Sequence, residues 1–226
     1  MPPRDNTKVM SMTHLNGHLL CAVAIETTGS KLFYHDICEI SIIPVDYELR
    51  ILRNILPFHC DIKPRYDNRI DFDTMTVTEA RMQNICKHGI DSLVASEYLE
   101  EWFSKLPLYH TKRIMPFCYN WPRVYAFLCN WLTQRTAEFI FDYRYRDLLS
   151  TSLWLNDYND YHINNCPFAK NDFPYLCSSF NIERDHGINR DSLSEARAMI
   201  DLYRATLNNI SILELYQRPE YSETIH

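Results

Sequence analysis

Three apolar, β-branched runs crowd into residues 18–62, and that succession of strand signals constrains the fold more than any other feature. Residues 18–26 (HLLCAVAIE) form a strand-length run that stops at Thr27-Thr28-Gly29. Residues 37–45 (ICEISIIPV) form the second, and residues 49–62 (LRILRNILPFHCDI) the third, bounded by Pro64. Short turns between consecutive strands predict an antiparallel meander. Helical spacing then takes over. Residues 78–88 align Ala80, Met82, Ile85 and Cys86, with Gly89 as a C-cap, and residues 92–105 repeat the period through Leu93, Tyr98, Leu99 and Trp102. Residues 113–119 read as a short buried strand, 122–133 as a helix with Pro122 in its first turn, and 139–141 as a last strand. Helices are expected over 146–155, 173–180 and 190–207, and residues 156–172 read as a polar, exposed excursion. The order predicts an α/β domain with a mixed five-stranded sheet and helices on both faces. Its boundaries are a polar arm at 1–17, the domain at 18–207 and an extension at 208–226.

Composition narrows the function classes. Apolar residues at 46% and aromatics at 13% of 226 residues are those of one folded domain, not of a disordered chain. With 4 glycines against 15 tyrosines, a Gly-rich phosphate loop is not expected. A net charge of −6 argues against coating nucleic acid with a broad basic face. It is compatible with a carboxylate-rich site that draws phosphate through bound cations. Eight cysteines without a CxxC pair exclude a zinc ribbon or redox dithiol, and the lack of a long apolar run makes the cytoplasm the expected location, with no membrane partner.

Chemistry concentrates in two segments. Side chains two apart on a strand share a face, so acidic residues at positions 24 and 26 would together grip divalent cations. Glu26 is present, but position 24 is alanine. In the second segment, His186-Gly187-Ile188-Asn189-Arg190-Asp191, a loop histidine precedes an aspartate at a helix start. The histidine suits a general base and the aspartate a metal ligand. Taken singly, Glu26 is a strand end, and Asp191 a charge favoured by the helix dipole.

Together these segments resemble the DEDDh exonucleases, the DnaQ-like relatives that include polymerase proofreading subunits and ribonuclease T. The family's first motif is Asp-x-Glu-Thr-x-Gly and its third His-x4-Asp; Glu26, His186 and Asp191 match, and Ala24 stands where the first aspartate belongs. Asp36–Ile40, Lys87–Ile90 and Arg146–Leu148 carry supporting similarity. The segment Cys118–Leu128 resembles the second motif through Asn120, Phe127 and Leu128, which puts Val124 at the aspartate position, with Asp142 and Asp147 the nearest acidic substitutes.

The resemblance implies a ribonuclease H-like fold and two-metal hydrolysis from a 3′ end of single-stranded DNA or RNA. Mg²⁺ or Mn²⁺ would be held by Glu26 and Asp191, His186 would be the base, and Thr27, Thr28, Asn120 and Trp121 would contact the strand. Losing one shared carboxylate costs on the order of 4 kcal/mol, so Ala24 predicts an impaired enzyme. Two origins stand open, a deliberate aspartate-to-alanine inactivation and a natural pseudo-enzyme. The rival function is a binding module without metals. A weaker third is a structural subunit that holds a partner through 156–172.

Overall fold

A computed structural model describes residues 12–75, 77–107, 112–185 and 190–209. Its core is a five-stranded sheet in the order β3-β2-β1-β4-β5. The three leading strands are β1 (Leu19–Thr27), β2 (Ile37–Val45) and β3 (Phe58–Asp61), paired antiparallel as the meander requires. Parallel pairing adds β4 (Ile114–Cys118) beside β1 and the short β5 (Arg146–Asp147) beside β4. The sheet is therefore mixed. Both sides of β1 and β2 are buried along nearly their whole length, which is why these strands are apolar runs rather than alternating ones.

Seven helices are described around this sheet: α1 (Glu79–His88), α2 (Ser92–Ser104), α3 (Trp121–Leu132), α4 (Gln134–Ile140), α5 (Leu148–Ile163), α6 (Phe173–Ser179) and α7 (Ser192–Asn209). Several starts are fixed by side-chain oxygens that accept from the first turn. Thr78 caps α1, Asp91 caps α2, Asp147 caps α5 and Asp172 caps α6.

Three expectations from the sequence need correction. The third strand is confined to Phe58–Asp61, and most of 49–57 is irregular, with only Ile51 bridging back to Val45. Phe139 belongs to α4, not to a strand, because Thr133 caps a new helix there and α4 packs against α3. The polar stretch after 155 is helical to Ile163; α5 ends only at Asn164, in the left-handed conformation that asparagine tolerates. Beyond it, Asn156 bonds both the N–H and the C=O of Phe168, folding the connection back onto the helix. Most of the anticipated arm and extension, 1–11 and 210–226, lies outside the described residues.

α7 packs on β1 and β2, and polar bonds fix its start. The Ser192 hydroxyl bonds Ser41 at 2.8 Å, and the Ser192 N–H donates to Glu39 Oε2 at 2.9 Å. Glu39 is fully buried, yet Arg81 donates to its Oε1 at 2.6 Å and to Asp61 at 2.7 Å. Removing one partner of a buried ion pair strands the other charge. Arg81→Ala should therefore lower unfolding stability by about 3–5 kcal/mol, read from urea titrations. A loss below about 1 kcal/mol would show that Glu39 finds other compensation.

Candidate functional site

The site begins where β1 ends. Alternation along the strand puts the side chains of Ala24 and Glu26 on one face, and both line a cavity of about 280 Å³. Glu26 is opposite Glu39 in the β1–β2 register, and the pairing slips between Glu26 and Thr27. Such irregularities bend a strand and re-aim its side chains. The chain then turns sharply. Thr27 Oγ1 donates to Gly29 O at 2.8 Å, and Thr28 Oγ1 accepts from Asp36 N at 3.0 Å. A Cβ at Gly29 would lie 2.2 Å from the His35 ring, so the turn needs glycine.

The opposite wall comes from α7 and the segment before it. Glu195, in the first turns of α7, accepts on Oε1 from Arg184 Nη2 at 2.5 Å and from Arg190 Nε at 2.7 Å. Arg190 Nη2 lies 3.8 Å from Glu26 Oε1, a looser contact. Arg184 also lies over the Phe173 ring, 4.9 Å from its centroid. The remaining wall is the start of α3, with Asn120, Arg123 and Val124, together with Tyr119 and Phe173. Asn120 adopts a left-handed φ of 62°, and its N–H donates to Asp147 Oδ1 at 2.8 Å. That bond ties the α3 start to the α5 cap.

Burial dominates the electrostatics of Glu26. It pushes the carboxyl up to about 8, opposed by the Arg190 charge and reinforced by Glu195 and Glu39. One oxygen, Oε2, is buried without a hydrogen-bond partner among the described residues.

The residues expected from sequence divide between this cavity and other tasks. Ala24, Glu26, Thr27, Asn120 and Val124 share the cavity wall. Asp191 does not line it. Its carboxylate accepts the Ser194 N–H at 2.7 Å, while Ser194 Oγ accepts the Asp191 N–H, a reciprocal cap that starts α7. Asp142 is engaged by Arg144 and His18, and Asp147 by the α3 and α5 starts, and neither lines the cavity. Trp121 is buried, packed on Tyr125, Phe141 and Tyr145, and does not line the cavity. Thr28 is also buried and shapes the turn. His186 lies outside the described residues.

Arg184, Arg190 and Glu195, with Tyr119, Arg123 and Phe173, are among the cavity residues that the sequence reading missed. The missed signal is a repeat of the same spacing: Arg190-x4-Glu195 lies four residues beyond His186-x4-Asp191. Glu195 also continues into the buried stripe Met199, Leu202 and Thr206 at helical spacing, whereas Asp191 precedes the helix.

The donor set does not fit a pair of divalent ions. Ala24 and Val124 offer no ligand atoms, and Glu195 is already occupied by two guanidiniums. Among the described residues, no three His, Cys, Asp or Glu side chains are grouped to hold a metal.

No family model matches the chain, and no curated protein matches it by sequence. Solved structures match its fold. Cell-death related nuclease 4 (CRN-4) superposes with a TM-score of 0.59 at 13% identity, over 84% of this chain and 64% of that one. Escherichia coli exonuclease I in complex with a 5cy-dT13 oligonucleotide gives 0.59 at 15%, over 88% and 42%. The zinc-bound form of the E. coli exonuclease I complex with single-stranded DNA gives 0.56 at 15%, over 88% and 42%. This chain thus spans under half the length of exonuclease I. The chain shares the fold of these nuclease structures, a mixed five-stranded sheet flanked by helices.

The raised Glu26 has a consequence for stability. The folded state binds this proton more tightly than the unfolded state, so stability is lost as pH rises from about 4.5 to about 8. Glu26→Gln removes that loss. It should melt above the parent at pH 9 and close to it at pH 4, each tenfold change in proton affinity being worth about 1.4 kcal/mol. Parallel melting curves for the two proteins across this range would show that Glu26 ionises freely.

Proposed function

We propose that this chain uses an exonuclease fold to bind single-stranded nucleic acid with a 3′ end, and that it does not hydrolyse the strand. The observation that carries this reading is the shared cavity wall of Ala24, Glu26, Val124, Arg190 and Glu195. Two of the three positions that the DEDDh resemblance assigns to metal-binding aspartates are apolar here. The third aspartate, Asp191, is spent on capping α7, and an arginine–carboxylate cluster lines the cavity instead. Two-metal hydrolysis needs carboxylates that bridge and orient both ions. One buried glutamate that favours its neutral form, and another neutralised by two arginines, do not supply them.

The departures at Ala24 and Val124 also bear on origin. A single deliberate inactivation leaves the second aspartate in place, so the paired loss supports natural decay of the metal site. Binding is supported by what remains. Tyr119 and Phe173, their rings 5.5 Å apart and tilted 46°, line the cavity wall, and aromatic rings of this kind are partners for bases. Arg123 is exposed beside them. Single strands rather than duplexes are favoured because the groups sit in a cleft that admits a frayed end, and the E. coli exonuclease I match was solved with a dT13 oligonucleotide.

Incubation of a labelled oligothymidylate or oligouridylate with Mg²⁺ or Mn²⁺ should release no mononucleotides, while fluorescence anisotropy registers binding of the intact strand. Ala24→Asp alone should leave hydrolysis absent, because Val124 and the two arginines remain. Mononucleotide release by the parent chain, or its recovery in Ala24→Asp, would restore the hydrolytic reading with Glu26 as metal ligand.

A further inference from the structure

The cavity contains buried polar atoms that the protein leaves unfinished. The Arg184 side chain is 9% exposed, and its Nε has no hydrogen-bond partner among the described residues. Glu26 Oε2 in the same wall is in the same position. Buried donors and acceptors are nearly always paired, and an orphan guanidinium N–H beside a cavity marks a place for an acceptor. Arg190 adds capacity. A guanidinium carries five N–H donors, and Arg190 commits its Nε to Glu195 while Nη2 makes only the long contact to Glu26. Arg123 brings a third, exposed guanidinium from the first turn of α3.

The α3 start adds less: the Asp147 carboxylate takes the N–H of the N-cap Asn120 and Pro122 carries none, so the guanidiniums supply the positive field of the cavity. The lining carboxylates do not cancel this field. Glu195 is offset by two guanidiniums, and Asp172 is exposed and caps α6. Glu26 holds Arg190 only at 3.8 Å, so an incoming anion can take its place. The cavity volume of about 280 Å³ is near the lower end for small-ligand pockets, and the Tyr119 and Phe173 rings, tilted 46° to one another with Arg184 over Phe173, give part of its wall an aromatic lining.

We propose that this cleft is a metal-independent phosphate site, in which Arg184, Arg190 and Arg123 hold the phosphate of a nucleotide whose base lies against Tyr119 and Phe173. Guanidinium forks match the paired oxygens of a phosphate and replace divalent cations as the source of positive charge. The assignment of the ligand as a nucleotide rests on the single-strand reading above. The phosphate is that of a free nucleoside monophosphate or of a strand end, and the two sources differ in what the rest of the ligand touches.

The test measures calorimetric binding of thymidine 5′-monophosphate and of inorganic phosphate to the full chain in EDTA, with anisotropy of a labelled oligothymidylate alongside. The monophosphate should bind in EDTA, more tightly than inorganic phosphate, with no gain on adding Mg²⁺. Arg190→Gln should weaken it about tenfold or more. Arg123→Gln, at an exposed helix position where folding is not at stake, should weaken it several-fold. A requirement for Mg²⁺, equal binding by both variants, no binding by the parent, or no advantage of the nucleotide over phosphate would each overturn the proposal. If the oligonucleotide binds the parent and both variants alike, the strand lies elsewhere; the phosphate site falls while the single-strand reading survives. If the monophosphate binds and the oligonucleotide does not, the site stands and the single-strand reading falls.

Discussion

Glu195 is held below the surface of α7 with two guanidiniums on one oxygen, and the arrangement of the cleft follows from that cluster. α7 packs on β1 and β2, which brings its first turns against a strand face already carrying Glu26 and Glu39. A bare carboxylate there would meet two others in a low-dielectric space, where like charges repel strongly. Arg184 and Arg190 turn that repulsion into attraction, and breaking such a buried pair costs about 3–5 kcal/mol. The cluster therefore sets how closely α7 approaches the end of β1. It also sets the width of the cavity between them.

Ala24, Val124 and Arg190 make sense as a group. In an exonuclease that works with metals, clustered carboxylates are tolerable because divalent cations neutralise them. Remove two carboxylates and the remaining negative charge no longer supports a pair of dications. Guanidiniums then suffice, and one of them, Arg190, precedes Glu195 by the interval that separates histidine from aspartate in the third motif of the resemblance. Apolar side chains at 24 and 124 leave room for the longer arginines beside the unpartnered Arg184 Nε and Glu26 Oε2. On the phosphate-site proposal, the cleft holds an anion where a metal-bearing site would activate water.

The meander and the fold class were legible because β1 and β2 are buried on both sides and so leave long apolar runs. Elements with mixed surroundings were harder to read. Residues 139–141 have the composition of a strand, but the Thr133 cap and packing on α3 decide for helix up to Ile140, and only Phe141 is extended, bridging Ile114. The 156–163 segment is polar because it is the exposed end of α5, and polarity alone does not distinguish such a helix from a loop. Within the site, Ala24 and Glu26 follow from strand alternation, a strictly local rule. The third-motif region does not yield to spacing alone, since His186-x4-Asp191 and Arg190-x4-Glu195 overlap in register. Helix phase separates them. Glu195 lies on the stripe with Met199 and Leu202, whereas Asp191 stands at the cap, and a cap has its own use for a carboxylate.

A second carboxylate network beside the cavity follows the same rule. Arg81 joins Glu39 to Asp61, and the charge of Asp191 acts on Arg81. Glu39 in turn accepts the Ser192 N–H at the start of α7. Asp191 and Glu195, one turn apart, thus belong to neighbouring clusters, the first centred on Arg81 and the second on Arg184 and Arg190. In both, arginines offset buried carboxylates where β1 and β2 meet α7. That common solution explains how an acidic chain can place so many carboxylates around one cleft and still leave guanidinium donors facing into it.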